Sequence, residues 1–160
     1  MAKQNMIKLL YEMMKNSKRS DRGIAKIIGV SQPTITRMRQ RLEKNGYIRD
    51  YTVIPNLEKL GYEIVAFTFM TAANSNAKSE KMDKWVGSNT KIVLSAFGDG
   101  LNGKNSILVS IHKDFTDYSK FMSEFRSKSS ENIKDSDSFL VPLRGDIPKH
   151  FSFKYLQGLQ

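Results

Sequence analysis

Residues Asp21–Gln40, DRGIAKIIGVSQPTITRMRQ, decide the fold. Counting Asp21 as the first position, a small residue (Ala25) falls fifth, a glycine (Gly29) ninth and a branched apolar residue (Ile35) fifteenth, the frame of two short helices meeting across a sharp turn. Ala25 lets the helices approach closely, Gly29 supplies the positive φ of the turn, and Ile35 fills the angle between them. Ile24, Ile28, Val30, Ile35 and Met38 form the matching buried set at helical spacing. Ser31 is a favourable N-cap, and Pro33 sits in the first turn, where its missing N–H is not needed. With Ser31 as cap, the second helix exposes Gln32, Thr34, Thr36, Arg37 and Gln40, flanked by Arg39, Arg41 and Lys44. Arginine can fork onto guanine, glutamine onto adenine, and a threonine methyl can meet a thymine methyl, each good bidentate pair discriminating by about 1–3 kcal/mol. The chemistry points to duplex DNA. A plain amphipathic hairpin with a solvated basic face would explain the charge, but not the coincidence of frame, cap and reading residues.

Charge and flanking pattern extend this reading. Residues 1–60 hold 13 basic and 5 acidic side chains, net +8, whereas residues 61–160 hold 13 and 11, net +2. The basic excess of the whole chain, 26 against 16, therefore belongs to its first third. A membrane-surface helix would pair such charge with a broad exposed apolar face, but here the apolar positions are required for packing. No apolar run approaches a transmembrane length, and the start of the chain lacks the long apolar segment of a signal peptide. With no cysteine there is neither a disulfide framework nor a thiolate metal site, so a cytoplasmic location is expected. Met6, Ile7, Leu10, Tyr11 and Met14 predict a first helix over residues 3–15, Ser20 caps the second, and the third ends near Asn45 with Gly46 as its C-terminal cap. Residues 47–54 read as extended, making a wing in which Tyr47 and Arg49 either lie beside a phosphate backbone or form the polar side of a ribbon.

After a hinge over residues 55–61 the pattern changes. Strands are expected at 63–71, 91–97, 106–112 and 138–143, with helices at 77–86 (Met82, Trp85 and Val86 inward) and 115–128 (Phe115, Tyr118, Phe121, Met122 and Phe125 on one face). The order βαββαβ is ferredoxin-like: a four-stranded antiparallel sheet with both helices on one side, giving an α+β chain with a winged helix-turn-helix domain at 1–54 and a second domain at 62–160. The uncovered sheet face predicts a homodimer packed sheet to sheet. The tail, with Phe151, Phe153 and Tyr155 alternating, is expected as an edge strand or across a subunit boundary.

The stretch IAKIIGVSQPTITRMRQRLEKNGYIRDYTVIPNLEKLGY resembles the Lrp/AsnC, or feast/famine, family of transcriptional regulators, and SFLV at Ser138 resembles it more weakly. The resemblance implies a winged helix on DNA, pairing of the segment after the wing between subunits, and dimers that assemble further, to tetramers or octamers. It also implies a small-molecule effector, commonly an amino acid, near the loop between the second and third strands. Within that loop Gly98, Asp99, Asn102 and Asn105 are the candidate effector residues, a flexible hairpin loop being the plain alternative. No acidic residue stands where the family's amino-acid binders often carry one, and the loop is longer than usual. Lacking a following helix and a Gly-Lys-Ser/Thr ending, it makes a poor phosphate cradle.

Other chemistry is sparse. His112 and His150 have no acidic residue at metal-ligand spacing, and no nucleophile elbow or paired carboxylate stands out, so no metal, cofactor or catalytic residue is expected. The expected function is regulation through a roughly palindromic operator, with Ser31, Arg39, Arg41, Lys44 and Arg49 on phosphates. Two alternatives stay open. One is an enzyme acting on a tetrapyrrole, since siroheme decarboxylases look similar to Lrp/AsnC proteins in architecture. The other is an oligomerisation module with a vestigial winged helix.

Overall fold

Two apolar clusters organise the chain, each inside its own unit. The computed structural model describes residues 2–72, 80–129 and 133–156. One unit comprises residues up to Ile54 together with those from Lys149 onward, and the other comprises Pro55–Pro148.

The first unit is a helical trio, α1 (Ala2–Lys15), α2 (Asp21–Ile28) and α3 (Gln32–Lys44). Leu9, Ile24, Ile35 and Leu42 are fully buried at its centre, with Met13 and Ala25 beside them and Met6, Ile28, Val30, Met38 and Ile48 packed around. Burying each large side chain stabilises by about 1.5–3 kcal/mol, so four such residues hold three short helices that would not persist alone. Ser20 caps α2 by accepting from the Gly23 N–H at 3.2 Å, and Gly29 ends it at φ 79°. That left-handed turn sets α3 across α2, and the Gly29 and Val30 N–H groups both return to the Ala25 carbonyl. α3 stops one residue before the expected Asn45, which takes the C-cap, and the Tyr47 and Ile48 N–H groups donate to the Leu42 carbonyl.

Residues 48–56 then carry no regular secondary structure and pair with no strand among the described residues. Tyr51, Val53 and Ile54 are exposed there, as is Tyr47 just before them. Among the described residues the wing is thus a single arm: a ribbon needs a partner, and the arm has none there. The tail also departs from expectation. Instead of an edge strand it forms a short 3-10 turn, Phe153–Tyr155, lying against α1 in the first unit. Ser152 Oγ accepts from the Lys154 N–H, and the Lys149 ammonium sits 4.2 Å from the centre of the Tyr155 ring.

In the second unit, a 3-10 turn at Glu58–Leu60 leads into β1 (Ile64–Ala72), α4 (Glu80–Ser88), β2 (Ile92–Phe97), β3 (Ser106–His112), α5 (Phe115–Ser129) and β4 (Ile133–Pro142). The sheet is antiparallel in the order β2-β3-β1-β4, the ferredoxin-like arrangement. Residues 77–79 of the expected helix lie outside the described residues. β4 begins five residues before its expected start, because its polar opening, Lys134–Ser136, conceals a strand that pairs with β1 as far as Ala72 opposite Ile133.

Alternation sorts the sheet into two faces. Met70 and Leu108 meet Phe121, Met122 and Phe125 of α5 and Met82 and Trp85 of α4, so both helices cover one side. Phe115, expected on the packed stripe, is exposed at the first turn of α5. Buried polar groups on this side find partners: Thr68 Oγ1 lies 2.9 Å from Ser138 Oγ, and His112 Nε2 lies 2.8 Å from Ser110 Oγ. His112 Nδ1 has no hydrogen bond and stands 3.7 Å from the Asp117 carboxylate. Burial, acting more strongly than the nearby Asp117 charge, pushes the His112 pKa down. The opposite face presents Val65, Phe67 and Phe69 on β1, Ile107 and Ile111 on β3, and Phe139 and Val141 on β4, with Phe139 66% exposed.

Candidate nucleic-acid interface

Helix α3 buries Ile35 and Leu42 against α1 and α2, which turns the stripe Gln32, Pro33, Thr36, Arg37 and Gln40 outward. These five residues line an open groove along the helix. Their spacing is that of one face of a 3.6-residue helix, opposite the core stripe. Gln32, Arg37 and Gln40 are exposed, and their side chains have no hydrogen bond or ion pair among the described residues. Arg41 and Lys44 continue the exposed face toward the helix end, Arg49 follows on the arm, and all three cations are likewise unpaired among the described residues.

The other candidates are engaged inside the unit. Ser31 has the extended backbone of a cap (φ −73°, ψ 152°), yet its hydroxyl does not cap the helix and instead lies 2.8 Å from the Thr34 hydroxyl. Thr36 Oγ1 donates to Asp21 Oδ2 at 2.9 Å. Arg39, expected at a phosphate, is half-buried and directs Nε (3.1 Å) and a terminal guanidinium nitrogen at Asp21 Oδ1. Asp21 opens α2, so this pair fastens the reading helix to its neighbour. Burial opposes the charge on both, but for Asp21 the hydrogen bonds from Arg39 and Thr36 win and hold its carboxyl below the usual range. For Arg39 the bonds to Asp21, helped by the neighbouring Tyr51, likewise win and raise its pKa. Tyr51 OH in turn donates to Glu43 Oε1 at 2.6 Å. Burial and the Glu43 carboxylate raise the Tyr51 pKa.

Sequence reasoning missed this chain of contacts, Asp21–Arg39–Tyr51–Glu43, because none of its links between elements follows a helical or strand period. It also passed over Arg22 and Lys26, exposed cations of α2, though their place beside the reading helix was legible once the turn had been found.

The candidate effector residues are less convergent. Asn105 is committed to backbone: its Oδ1 accepts from the Ala72 N–H at 2.8 Å, and its own backbone N–H donates to the Met70 carbonyl at 2.9 Å. Gly98 donates its N–H to the Asn105 carbonyl, while Asp99 and Asn102 are exposed, Asn102 at φ 57°. Gly100 is required for space, since a Cβ there would stand 2.8 Å from the Lys104 carbonyl oxygen. Lys104 reaches Asp135 and Asp137 on β4 and closes the loop down onto the sheet. Among the described residues no helix is long and apolar enough to cross a membrane.

Comparison with known proteins agrees with this geometry. A family model described as winged helix-turn-helix DNA-binding matches residues 3–49. The uncharacterised HTH-type transcriptional regulator PH0061 of Pyrococcus horikoshii is 30% identical over 133 residues, 81% of this chain and 84% of that protein. The leucine-responsive regulatory protein of Rhizobium meliloti is 30% identical over 84 residues, 49% of this chain and 54% of its own. Among solved structures, that of PH0061 superposes with a TM-score of 0.78 at 23% identity, covering 93% of this chain and 95% of its own. The Neisseria meningitidis regulator NMB0573, crystallised with L-methionine, gives 0.77 at 18% identity, with 92% of each chain covered. AsnC of E. coli gives 0.73 at 16% identity over 92% of this chain and 96% of its own. A helix-turn-helix with a free polar reading face, a ferredoxin-like sheet unit and a relative similar over most of both chains converge: the chain belongs to the Lrp/AsnC family of DNA-binding transcriptional regulators.

Proposed function

We propose that the protein binds a roughly palindromic operator as a homodimer, each copy placing α3 in the major groove. The observation that carries this reading is the outer face of α3, where Gln32, Arg37 and Gln40 are exposed and uncommitted beside Arg41, Lys44 and Arg49. Gln32, Arg37 and Gln40 read bases. Arg41, Lys44 and Arg49 hold phosphates together with the start of α3, whose terminal N–H groups attract an anion. Thr34 and Thr36 contribute methyl contacts, their hydroxyls being engaged within the unit, and Ser31 joins them at the helix start. Arg39 acts from behind, as the strut on Asp21.

The uncovered apolar sheet face, with Phe69 and Phe139 on it, is the dimer surface, and the irregular arm finds its partner strand in the second copy. Further assembly into tetramers or octamers builds on that dimer. A small polar effector, an amino acid such as the L-methionine carried by the Neisseria regulator, seats at the loop Gly98–Asn105, where Asp99 and Asn102 face solvent and Asn105 holds the frame. It regulates by binding two arrangements of the dimer unequally.

The test is enrichment of a consensus duplex from a randomised library, followed by affinity for that duplex and for the unselected pool across a salt series. Arg37→Ala should relax preference at particular bases. Lys44→Ala should weaken both duplexes alike and reduce the salt slope by about one. Equal losses on both duplexes from both variants would remove the division between reading and holding.

A further inference from the structure

The sequence of α3 contains one acidic side chain, Glu43, set between Arg41 and Lys44 on the exposed part of the helix. A carboxylate in that place faces the same polyanion that its neighbours attract. The structure gives it an occupation. Tyr51 OH donates to Glu43 Oε1 at 2.6 Å, and Tyr51 lies on the arm, beyond the helix end, so the carboxylate is drawn toward the arm. The Arg39 guanidinium, fixed on Asp21, acts on Tyr51 electrostatically. The hydroxyl therefore stands at the junction of the arm, the reading helix and the strut.

We propose that Tyr51 is a positioning residue for DNA binding, its hydroxyl holding Glu43 back from the phosphate path while tying the arm to α3. This rests on the DNA reading above and adds to it a residue that touches no nucleotide. Losing the hydroxyl frees the carboxylate over the face it shares with Gln40, one turn back along α3, where its charge opposes the attraction that Arg41 and Lys44 exert on the same duplex. The penalty is electrostatic and independent of sequence.

The experiment uses the full chain, the enriched duplex and the unselected pool. Tyr51→Phe should weaken both by roughly three- to tenfold, the effect of one added unscreened charge near the backbone. Glu43→Gln alone should stay within about twofold of the wild type, because the carboxylate it removes was already held back. Tyr51→Phe combined with Glu43→Gln should return to within about twofold of the wild type, a rescue that loss of ring packing alone does not allow. The proposal is overturned if the double variant stays as weak as Tyr51→Phe, if Tyr51→Phe binds as the wild type does, or if Glu43→Gln alone tightens binding severalfold. Should Tyr51→Phe melt early, the Glu43→Gln arm still decides. Wild-type protein that shows no salt-dependent binding to either duplex fails the DNA reading itself, and this proposal with it, whereas normal wild-type binding without the rescue fails this proposal alone.

Discussion

Replacing Asp21 with alanine removes the acceptor that joins α2 to α3. Arg39 directs two nitrogens at Oδ1, Thr36 donates to Oδ2, and the ion pair is 21% and 19% exposed at its two side chains. A shielded hydrogen bond to a charge contributes about 1.5–3 kcal/mol and a surface ion pair about 0.2–1, so a pair this exposed falls between, at about 1.5 kcal/mol. Thr36 adds about 0.5 kcal/mol, giving a loss near 2 kcal/mol in total. Urea unfolding should be followed by far-ultraviolet circular dichroism for the helical unit and by fluorescence of Trp85, the single tryptophan, for the sheet unit. Only the first transition should move. The folded-state pKa of Asp21 is lowered, so its contribution is present above the unfolded value of about 3.9 and is lost as pH falls through the folded value. The difference between variant and wild type should therefore shrink on acidification. Arg39→Ala should cost about as much, and the pair of changes little more than either alone. A loss under about 0.5 kcal/mol, or one equally large in acid, would refute the strut.

Other expectations follow from the packing. Ile35→Ala should destabilise the helical unit by about 2–5 kcal/mol, read as an earlier dichroism transition, because the site is fully enclosed. Gly29→Ala should cost about 1 kcal/mol through its positive φ alone, since a Cβ there meets nothing within 4 Å. The His112 imidazole should titrate below about 6.5 by NMR; with the folded value depressed, its contribution is present above that pH and disappears on acidification, so His112→Leu should flatten the pH dependence of the sheet-unit transition. Phe139→Asp should convert the proposed dimer to monomer in sedimentation while leaving the Trp85 environment intact, Phe139 lying on the face away from the helices.

The turn at Gly29 was legible because a handful of positions there tolerate few residue types, and Ile24, Ala25 and Ile35 do occupy the core those types imply. The central strands were legible from their apolar character, as in SILVSIH of β3. The opening of β4 was hidden because Asp135 and Asp137 look like loop residues until Lys104 is seen to neutralise them. On the candidate interface, exposure of Gln32, Arg37 and Gln40 followed from helical period. The engagement of Arg39 and Thr36 did not, since Asp21 lies on another helix and no periodicity links them. The partners of the arm and the tail were not legible for a related reason. Alternating aromatics announce a wish to pair, but they do not say with what.

Both pieces of the helical unit flank the sheet unit along the polypeptide, the second piece being the tail against α1. The sheet unit is in effect an insertion, and no single cut separates the two bodies cleanly. A fragment ending at Ile54 discards the residues Phe153–Tyr155 that lie on α1. Fragments meant to report on DNA binding alone should accordingly keep the tail residues together with residues 1–54.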